Sequence, residues 1–137
     1  MAQLNPYLSF SNNICREAMN FYKDCLGGEL TLQTVGDMPA MAAQMPANMK
    51  DSILHSTLKS GGITIMASDL NREKPLEGNT FGLCINCDTE AELNAFFSKL
   101  SAGGKVIQPV GDMPWGALYG ELTDKYGKLW MFNFHKE

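Results

Sequence analysis

The sequence has little positive charge and no long apolar run. Eleven Lys and Arg stand against fifteen Asp and Glu, and the basic residues are spread along the chain instead of forming a stripe that could neutralise phosphates. The longest apolar runs are the length of a strand, well short of the ~20 residues that a membrane-spanning helix needs. The segment 1–10 also lacks the basic and apolar regions of a signal peptide. We therefore expect neither a nucleic-acid nor a membrane partner, and a cytoplasmic location.

Cysteine is also scarce, with four in 137 residues. A chain that is 45% hydrophobic and 19% charged is typical of a globular domain with its own core, so disulfide bridges are not needed for folding. Cys84 and Cys87 form a CxxC pair, but the segment 81–87 has the pattern of a strand, where residues three apart point to opposite faces. No second pair completes four zinc ligands. We expect buried or uninvolved thiols, with zinc binding or redox chemistry as the alternative.

An internal repeat is the most informative feature that the chain does contain. The pentapeptide Val35–Pro39 recurs unchanged 75 residues later, at 110–114. Without a gap, the same offset pairs residues of a helix and of the strand before it: Leu8 with Leu83, Phe10 with Ile85, Glu17 with Glu92, Phe21 with Phe96 and Tyr22 with Phe97. Beyond the pentapeptide the offset falls to 65, so that 62–66 aligns with 127–131 and the first half carries a longer loop.

Each half predicts a βαβββ module. Amphipathic helices are predicted at 15–26 and 89–100, each stopped by a Gly-Gly pair. The predicted strands are 7–10, 29–35, 53–59 and 63–67 in the first half and 83–85, 105–109, 118–123 and 129–134 in the second, with a tight turn before the last strand of each half. We therefore predict an α+β fold in a single domain, 1–137, with module one at 1–70, a linker at 71–78 and module two at 79–137.

Paired βαβββ modules of this length resemble the vicinal oxygen chelate superfamily, which includes glyoxalase I, bleomycin and fosfomycin resistance proteins and extradiol dioxygenases. The resemblance covers essentially the whole chain. The motifs most similar to its PhnB-like branch are 5–10, Glu17-Ala18, Phe21-Tyr22, Ile53-Leu54-His55, Trp115-Gly116, Tyr119-Gly120, Asp124, Gly127 and Trp130. The resemblance implies two curved mixed sheets with a cup-shaped pocket, a small-molecule ligand and a homodimer.

The PhnB-like branch has often carried the label 3-demethylubiquinone-9 3-methyltransferase. A methyltransferase of the usual kind needs a parallel sheet and a glycine-rich strand-to-helix turn for its methyl donor, and neither is predicted in the two modules. We therefore do not expect methyl transfer.

In the metal-dependent members of this superfamily, each module supplies one ligand from its first strand and one, usually Glu, from its last. The resemblance puts the last-strand positions at Met66 and Met131, and the first-strand positions on or beside 5–7 and 80–82. None of these residues is His, Asp or Glu, and a thioether is a poor ligand for Mg²⁺, Mn²⁺, Fe²⁺ or Zn²⁺. We therefore expect no divalent metal and no other cofactor, and we expect Met66 and Met131 in apolar pocket walls.

The only histidine outside the C-terminal tail, His55, lies in the middle of a predicted strand. It is either a hydrogen-bonded structural residue or, because histidine titrates near neutral pH, a polar contact or general base in the pocket. Trp115 falls in a loop, which favours a pocket or an interface, whereas the core is the favoured place for Trp130 and an equal alternative for Tyr119. The residues that we predict to contact a ligand are Tyr7, His55, Met66, Trp115, Tyr119 and Met131, with His55 as the candidate catalytic residue.

The longer loop of the first half carries four methionines at helical spacing, between two turn-forming prolines: Met38, Met41, Met45 and Met49, with Pro39 and Pro46. A soft methionine surface fits a lid over a pocket, a subunit interface or a short helix that covers the core. Copper binding is not expected, because no His or Cys lies nearby in the sequence.

Two functions from different classes remain open. In the first, the chain binds a small organic metabolite, as resistance proteins of the superfamily sequester their ligands. In the second, it is an enzyme of lyase, isomerase or dioxygenase type, with or without a metal, that acts on a small metabolite. No Ser, Cys or His falls in a recognisable triad signature, which favours binding.

Overall fold

The computed structural model describes residues 2–136. The chain divides into two compact units, Met1–Pro75 and Leu76–Glu137, and the division falls within the segment predicted as a linker. No helix in the described range is long and apolar enough to cross a membrane.

The first unit is a four-stranded sheet with one long helix and a broken helical loop. Its elements are β1 (Tyr7–Ser9), α1 (Cys15–Leu26), β2 (Glu29–Thr34), α2 (Pro39–Ala42), β3 (Ile53–Ser60) and β4 (Ile63–Ser68). The strand order is β1-β4-β3-β2, in which β1 runs parallel to β4 and the other neighbours are antiparallel. The sheet is therefore mixed, as predicted.

The second unit repeats this topology. Its elements are β5 (Leu83–Asn86), α3 (Glu90–Leu100), β6 (Lys105–Asp112), β7 (Ala117–Thr123) and β8 (Leu129–His135). The strand order is β5-β8-β7-β6, with β5 parallel to β8 and the other pairs antiparallel. The predicted α+β fold of two βαβββ modules is therefore confirmed.

The helix of each unit covers one face of its sheet. In the first unit, Met19 and Tyr22 of α1 are fully buried, as are Leu58 of β3 and Ile65 of β4. Their counterparts in the second unit are Leu93, Leu100, Leu122, Trp130 and Phe132. Burying an apolar side chain of this size contributes about 1.5–3 kcal/mol. Strand residues between these buried ones point to the other side, which is half-buried or exposed and which we call the open face of each sheet.

Backbone requirements set the helix ends. Helix α1 ends at Leu26 as predicted, because Gly27 and Gly28 follow with φ values of 78° and 89°. A Cβ on Gly28 would also collide with the carbonyl of Lys59. Helix α3 begins one residue later than predicted, because the Thr89 hydroxyl accepts a hydrogen bond of 3.0 Å from the backbone N–H of Glu92 and caps the helix.

The gapless alignment of the first strands is wrong by two residues. In the sheets, Tyr7 lies opposite Met66, and Cys84 lies opposite Met131. Each parallel strand pair also ends in an equivalent backbone hydrogen bond. In the first sheet Phe10 N donates to Ser68 O (3.0 Å), and in the second Cys87 N donates to Asn133 O (2.7 Å). The counterpart of Tyr7 is therefore Cys84, and Leu8 does not correspond to Leu83, nor Phe10 to Ile85.

A longer connection in the first unit explains this shift. Residues 10–14 join β1 to α1, whereas only 87–89 join β5 to α3. The first connection contains Asn12 and Asn13, both left-handed at φ 59°, a conformation that asparagine adopts more readily than most residues.

The repeated pentapeptide takes two different structures. Val35–Asp37 forms a 3-10 turn, whereas 110–112 continues strand β6 past its predicted end at 109. The first copy is held by Thr34, whose hydroxyl accepts from Asp37 N (3.2 Å) and whose N–H donates to Asp37 Oδ2 (2.9 Å). This bonding also lowers the pKa of the Asp37 carboxyl. Pro109 precedes the second copy and has neither a hydroxyl nor an N–H, so that turn cannot form there.

The methionine loop is not one continuous helix. Helix α2 and a 3-10 turn at Ala47–Met49 are separate, and Pro46 lies between them. Met38 is 46% exposed and Met41 is 38% exposed. A short helix that covers the core is therefore the wrong interpretation for these two residues, and a lid or an interface stays a prediction.

Candidate functional site

The open face of the first sheet carries a hydrogen-bonded group of polar side chains around His55. The Tyr7 hydroxyl lies 3.5 Å from His55 Nδ1, with the two rings 5.9 Å apart between centroids, and the Thr57 hydroxyl lies 3.3 Å from His55 Nε2. Met66 lies between Tyr7 and Thr57 in the sheet register. We call Tyr7, His55, Thr57 and Met66 the Tyr7 cluster. It brings together three of the predicted ligand contacts.

Both ring nitrogens of His55 therefore contact a hydroxyl. A neutral imidazole donates from one nitrogen and accepts at the other, and a hydroxyl can do either. The contacts thus fix the orientation of the imidazole ring, with one nitrogen donating and the other accepting. His55 is half-buried, and its partners lie on the open face and not in the core.

A groove of about 320 Å³ adjoins this cluster on the same face. It is lined by Glu29, Thr31, Thr57 and Lys59, and Thr57 belongs to both features. Glu29 and Lys59 lie directly opposite each other in β2 and β3. The groove is therefore polar and carries one charge of each sign.

The open face of the second sheet carries a matching group around Tyr119. The Tyr119 hydroxyl donates a 3.0 Å hydrogen bond to Glu121 Oε1. Trp115, in the turn between β6 and β7, meets Tyr119 edge to face, with ring centroids 6.1 Å apart and planes at 73°. Met131 lies between Glu121 and Cys84 in the register. We call Cys84, Trp115, Tyr119, Glu121 and Met131 the Tyr119 cluster.

Two members of this cluster, Tyr119 and Cys84, are neutral at neutral pH, and their surroundings raise the pKa of both. Burial, the hydrogen bond to Glu121 and the charge of that carboxylate raise the pKa of Tyr119 to about 12. Burial also raises the pKa of the Cys84 thiol. Tyr119 is therefore a hydrogen-bond donor, and Cys84 is a neutral thiol with little nucleophilic thiolate.

The two clusters occupy equivalent positions of the repeat. Thr57 and Glu121 each lie opposite the methionine of the last strand, Met66 and Met131 respectively. His55 and Tyr119 lie two residues before them, so that each contacts its neighbour on the same face of its own strand. The repetition thus extends from the fold to the hydrogen bonds of the open faces.

Sequence reasoning missed three members of these clusters: Thr57, Cys84 and Glu121. The alternation of residues in the third strand of each unit could have pointed to Thr57 and Glu121. Cys84 was expected to be buried or uninvolved, and it is exposed, whereas Cys15, Cys25 and Cys87 are buried. Cys84 and Cys87 do point to opposite faces, as predicted.

The first-strand position of the second module is Cys84, and not within 80–82 as the resemblance suggested. Gly82 does approach Met131, because a Cβ on Gly82 would collide with the Met131 methyl group. That contact comes from the segment before β5 and is not the sheet pairing. The error has the same origin as the gapless alignment of the first strands.

The positions where the resemblance implies metal ligands hold a poor donor set for a divalent ion. They are Tyr7 and Met66 in the first sheet and Cys84 and Met131 in the second. A phenol, two thioethers and a thiol with a raised pKa are not the carboxylates and imidazoles that Mg²⁺, Mn²⁺, Fe²⁺ and Zn²⁺ prefer. Among residues 2–136, no three His, Cys, Asp or Glu side chains come together in a way that could hold a metal ion.

The two tryptophans have different environments. Trp130 is 1% exposed, and its indole N–H donates a 2.8 Å hydrogen bond to the buried Asp124, so it is a core residue. Trp115 is 58% exposed. Of the two, only Trp115 can meet a ligand on the open face.

The model of the Glyoxalase/Bleomycin resistance protein/Dioxygenase superfamily matches residues 6–132. Protein YjdN of Escherichia coli K12 is 31% identical over 142 residues, which span 98% of this chain and 96% of that protein.

Two solved structures are similar over nearly their whole lengths. Protein PA1353 from Pseudomonas aeruginosa has a TM-score of 0.84 and 38% identity, with both chains covered in full. A PhnB protein from Bacillus cereus, described as a putative 3-demethylubiquinone-9 3-methyltransferase, has a TM-score of 0.72 and 24% identity, with 97% of this chain and 99% of that chain covered. The second likeness is one of fold alone.

Proposed function

Because the chain belongs to the glyoxalase/bleomycin resistance protein/dioxygenase superfamily, we propose that it binds a small organic metabolite without the divalent metal of that superfamily's enzymes. The family predicted from the sequence is confirmed, and a protein named PhnB shares the fold. The ligand and the absence of a metal are proposals. We do not propose methyl transfer.

The chemistry of four positions carries this proposal. In each sheet, a residue of the first strand lies opposite a methionine of the last strand, to which the first strand runs parallel. These pairs are Tyr7 with Met66 and Cys84 with Met131. Thioethers favour contact with apolar or aromatic groups over coordination of a hard cation. Positions that bind a metal in the superfamily's enzymes are thus suited to packing against an organic ligand.

The surroundings of these methionines support a ligand of mixed polarity. Small-molecule sites combine apolar and aromatic walls with a few fixed polar groups. In the first unit, the Tyr7 cluster offers hydroxyl and imidazole groups beside a thioether, and in the second unit, the Tyr119 cluster offers two aromatic rings and a carboxylate, so each cluster by itself is of mixed polarity. All six residues that we predicted to contact a ligand belong to one of these two clusters.

One observation favours an enzyme as the second candidate. The contacts of His55 with Tyr7 and Thr57 suit proton transfer without a metal. In that case the chain is a lyase or isomerase type of enzyme on the same class of metabolite, with His55 as the acid or base.

The proposal includes a homodimer, which the resemblance to the superfamily implies and which is the commonest closed assembly among soluble oligomers. It also includes a cytoplasmic location. Light scattering tests the assembly. A mass near 15.1 kDa at micromolar concentrations would exclude a dimer.

A thermal-shift screen against metabolites, run with and without a chelator, tests the function. A ligand present at about a hundred times its Kd stabilises the folded state by about 2.7 kcal/mol. We expect hits whose shift is the same with the chelator. A screen in which only divalent ions stabilise the protein would overturn the proposal, and turnover of a hit would identify an enzyme.

A further inference from the structure

We infer that Trp115, Tyr119 and Glu121 form a binding site for the cationic group of a small organic ligand, such as a substituted ammonium. This inference rests on the proposed function, since it states the charge of the ligand bound by the Tyr119 cluster. It is carried by two aromatic rings and one carboxylate that lie together on the open face of the second sheet.

The two rings form a corner. Their planes meet at 73°, with centroids 6.1 Å apart, so that a group placed in the angle contacts two aromatic surfaces. Aromatic faces attract cations through the negative charge of the ring face, and tryptophan and tyrosine do so most strongly. Trp115 is 58% exposed and Tyr119 is half-buried, so one wall is open to an incoming ligand.

The backbone holds this corner in place. Trp115 belongs to a closed turn in which Met113 N donates to Ala117 O (2.8 Å) and Gly116 N donates to Met113 O (3.0 Å). Gly116 has φ 86°, which glycine adopts without strain. An ordered turn lowers the entropy that Trp115 loses when a ligand binds.

Glu121 supplies the negative charge. Its Oε1 accepts from Tyr119, which leaves Oε2 available, and within residues 2–136 it makes no ion pair. Lys136, which directly follows β8, forms an ion pair with Asp112. A half-buried carboxylate that is hydrogen-bonded to one of the two aromatic residues favours a positive ligand over a neutral or negative one.

The position of Glu121 in the repeat shows that this charge is specific to the second sheet. Its counterpart Thr57 is neutral, and Tyr119 corresponds to His55. The chain as a whole also has a net charge of −4, which attracts cations at long range. The two open faces thus offer different chemistry, and a cationic group belongs on the second.

A pair of isosteric probes tests the inference. Choline is cationic, and 3,3-dimethyl-1-butanol replaces its ammonium nitrogen with carbon and is neutral. The NMR resonance of the Trp115 indole N–H reports binding, and that of the buried Trp130 is an internal control. We expect choline to shift the Trp115 resonance in a saturable way, and to bind at least about tenfold more tightly than the neutral isostere.

Four variants separate the roles of the residues. Trp115→Leu should weaken choline binding about tenfold, whereas Trp115→Phe, which keeps an aromatic face, should retain most of it. Because both variants lack the Trp115 indole, calorimetric titration measures their affinity for choline. Glu121→Gln keeps the acceptor for Tyr119 but removes the charge, and should weaken choline binding several-fold without affecting the isostere. Glu73→Gln removes an exposed carboxylate outside the cluster and should change nothing.

Either of two results would overturn the inference. If choline and its isostere bind equally well, the site accepts organic groups without a preference for charge, and the proposed function stands alone. If neither probe moves the Trp115 resonance while the metabolite screen yields ligands, the cationic site is absent from this cluster. A metabolite screen without ligands would instead reject the proposed function.

Discussion

His55 and Tyr119 occupy the same position in the two repeated sheets, and each contacts the side chain two residues further along its own strand. His55 contacts a hydroxyl, and Tyr119 donates to a carboxylate. The scaffold is therefore duplicated, but the chemistry of its two open faces has diverged. One face suits proton transfer or polar contact, and the other suits an aromatic or charged group.

His55→Gln should have a small effect on stability. His55 is half-buried on the open face, and its partners Tyr7 and Thr57 can reach water when it is replaced, so we expect a loss of less than about 1 kcal/mol. Binding of a ligand found by thermal shift should weaken by more than that loss. Chemical unfolding and ligand titration of the same variant provide the two values.

The matched control is Ser56→Ala, on the covered face of the same strand. The Ser56 hydroxyl is buried and donates to Ala67 O (2.9 Å), so its removal loses this buried hydrogen bond and should cost about 0.5–1.5 kcal/mol. If His55→Gln destabilises the protein more than Ser56→Ala does, His55 is structural.

Cys84 should be the cysteine that reacts first in the folded protein. It is exposed, whereas Cys15 and Cys87 are buried with pKa values raised to about 11 by burial. Because partial desolvation of its sulfur still raises the pKa of Cys84, its labelling should be slow at neutral pH and accelerate as the pH rises. Peptide mass mapping after brief alkylation measures this, with Cys84→Ser as the control. Equal early labelling of Cys15 would contradict the described burial.

Asp124→Ala should be strongly destabilising. Asp124 is 3% exposed; its Oδ1 accepts from the N–H groups of Tyr126 and Lys128, and its Oδ2 accepts from the Trp130 indole. Removing this carboxylate loses three hydrogen bonds, one of them from a buried indole N–H, at a cost of about 3 kcal/mol or more. Asp124→Asn keeps one acceptor oxygen, so its free energy of unfolding should lie between those of the unmodified protein and the alanine variant. A loss below about 1 kcal/mol for the alanine variant in urea unfolding would be incompatible with this network.

Stability should fall at alkaline pH, in part through Tyr119. Its pKa is about 12 in the folded protein and about 10 when unfolded, so its contribution is complete below about pH 10 and disappears as the pH rises towards 12. The unfolded chain releases the proton first, which gives stability a negative slope in that interval. Tyr119→Phe should have a shallower slope, and its phenolate absorbance titration should lack one phenol that ionises near pH 12 in the unmodified protein. An unchanged slope in the phenylalanine variant would show that Tyr119 does not contribute.

Local patterns were enough to predict the helices and most strands. Helix α1 was predicted with its bounds because its apolar spacing and the Gly-Gly stop are local features. The pairing of the first strands was predicted wrongly because Asn12 and Asn13 add length in a loop, and a loop insertion leaves no trace in an alignment without gaps. That error moved the first-strand position of the second module away from Cys84.

Two further features could not be predicted from the sequence, because they depend on interactions outside the local pattern. The pentapeptide at 35–39 and 110–114 has one sequence but two conformations, because the residue before it is Thr34 in one copy and Pro109 in the other. The position of Glu121 beside Met131 and Cys84 depends on which strands are neighbours, and sheet order is not local information. Candidate residues could thus be placed on a face, but their partners on other strands could not.

Elemental analysis of the purified, dialysed protein is the most direct test of the central claim that the metabolite is bound without a divalent metal. Phenol, thioether and thiol groups at Tyr7, Met66, Cys84 and Met131 predict a metal content well below one ion per chain. One tightly held divalent ion per chain would contradict the account.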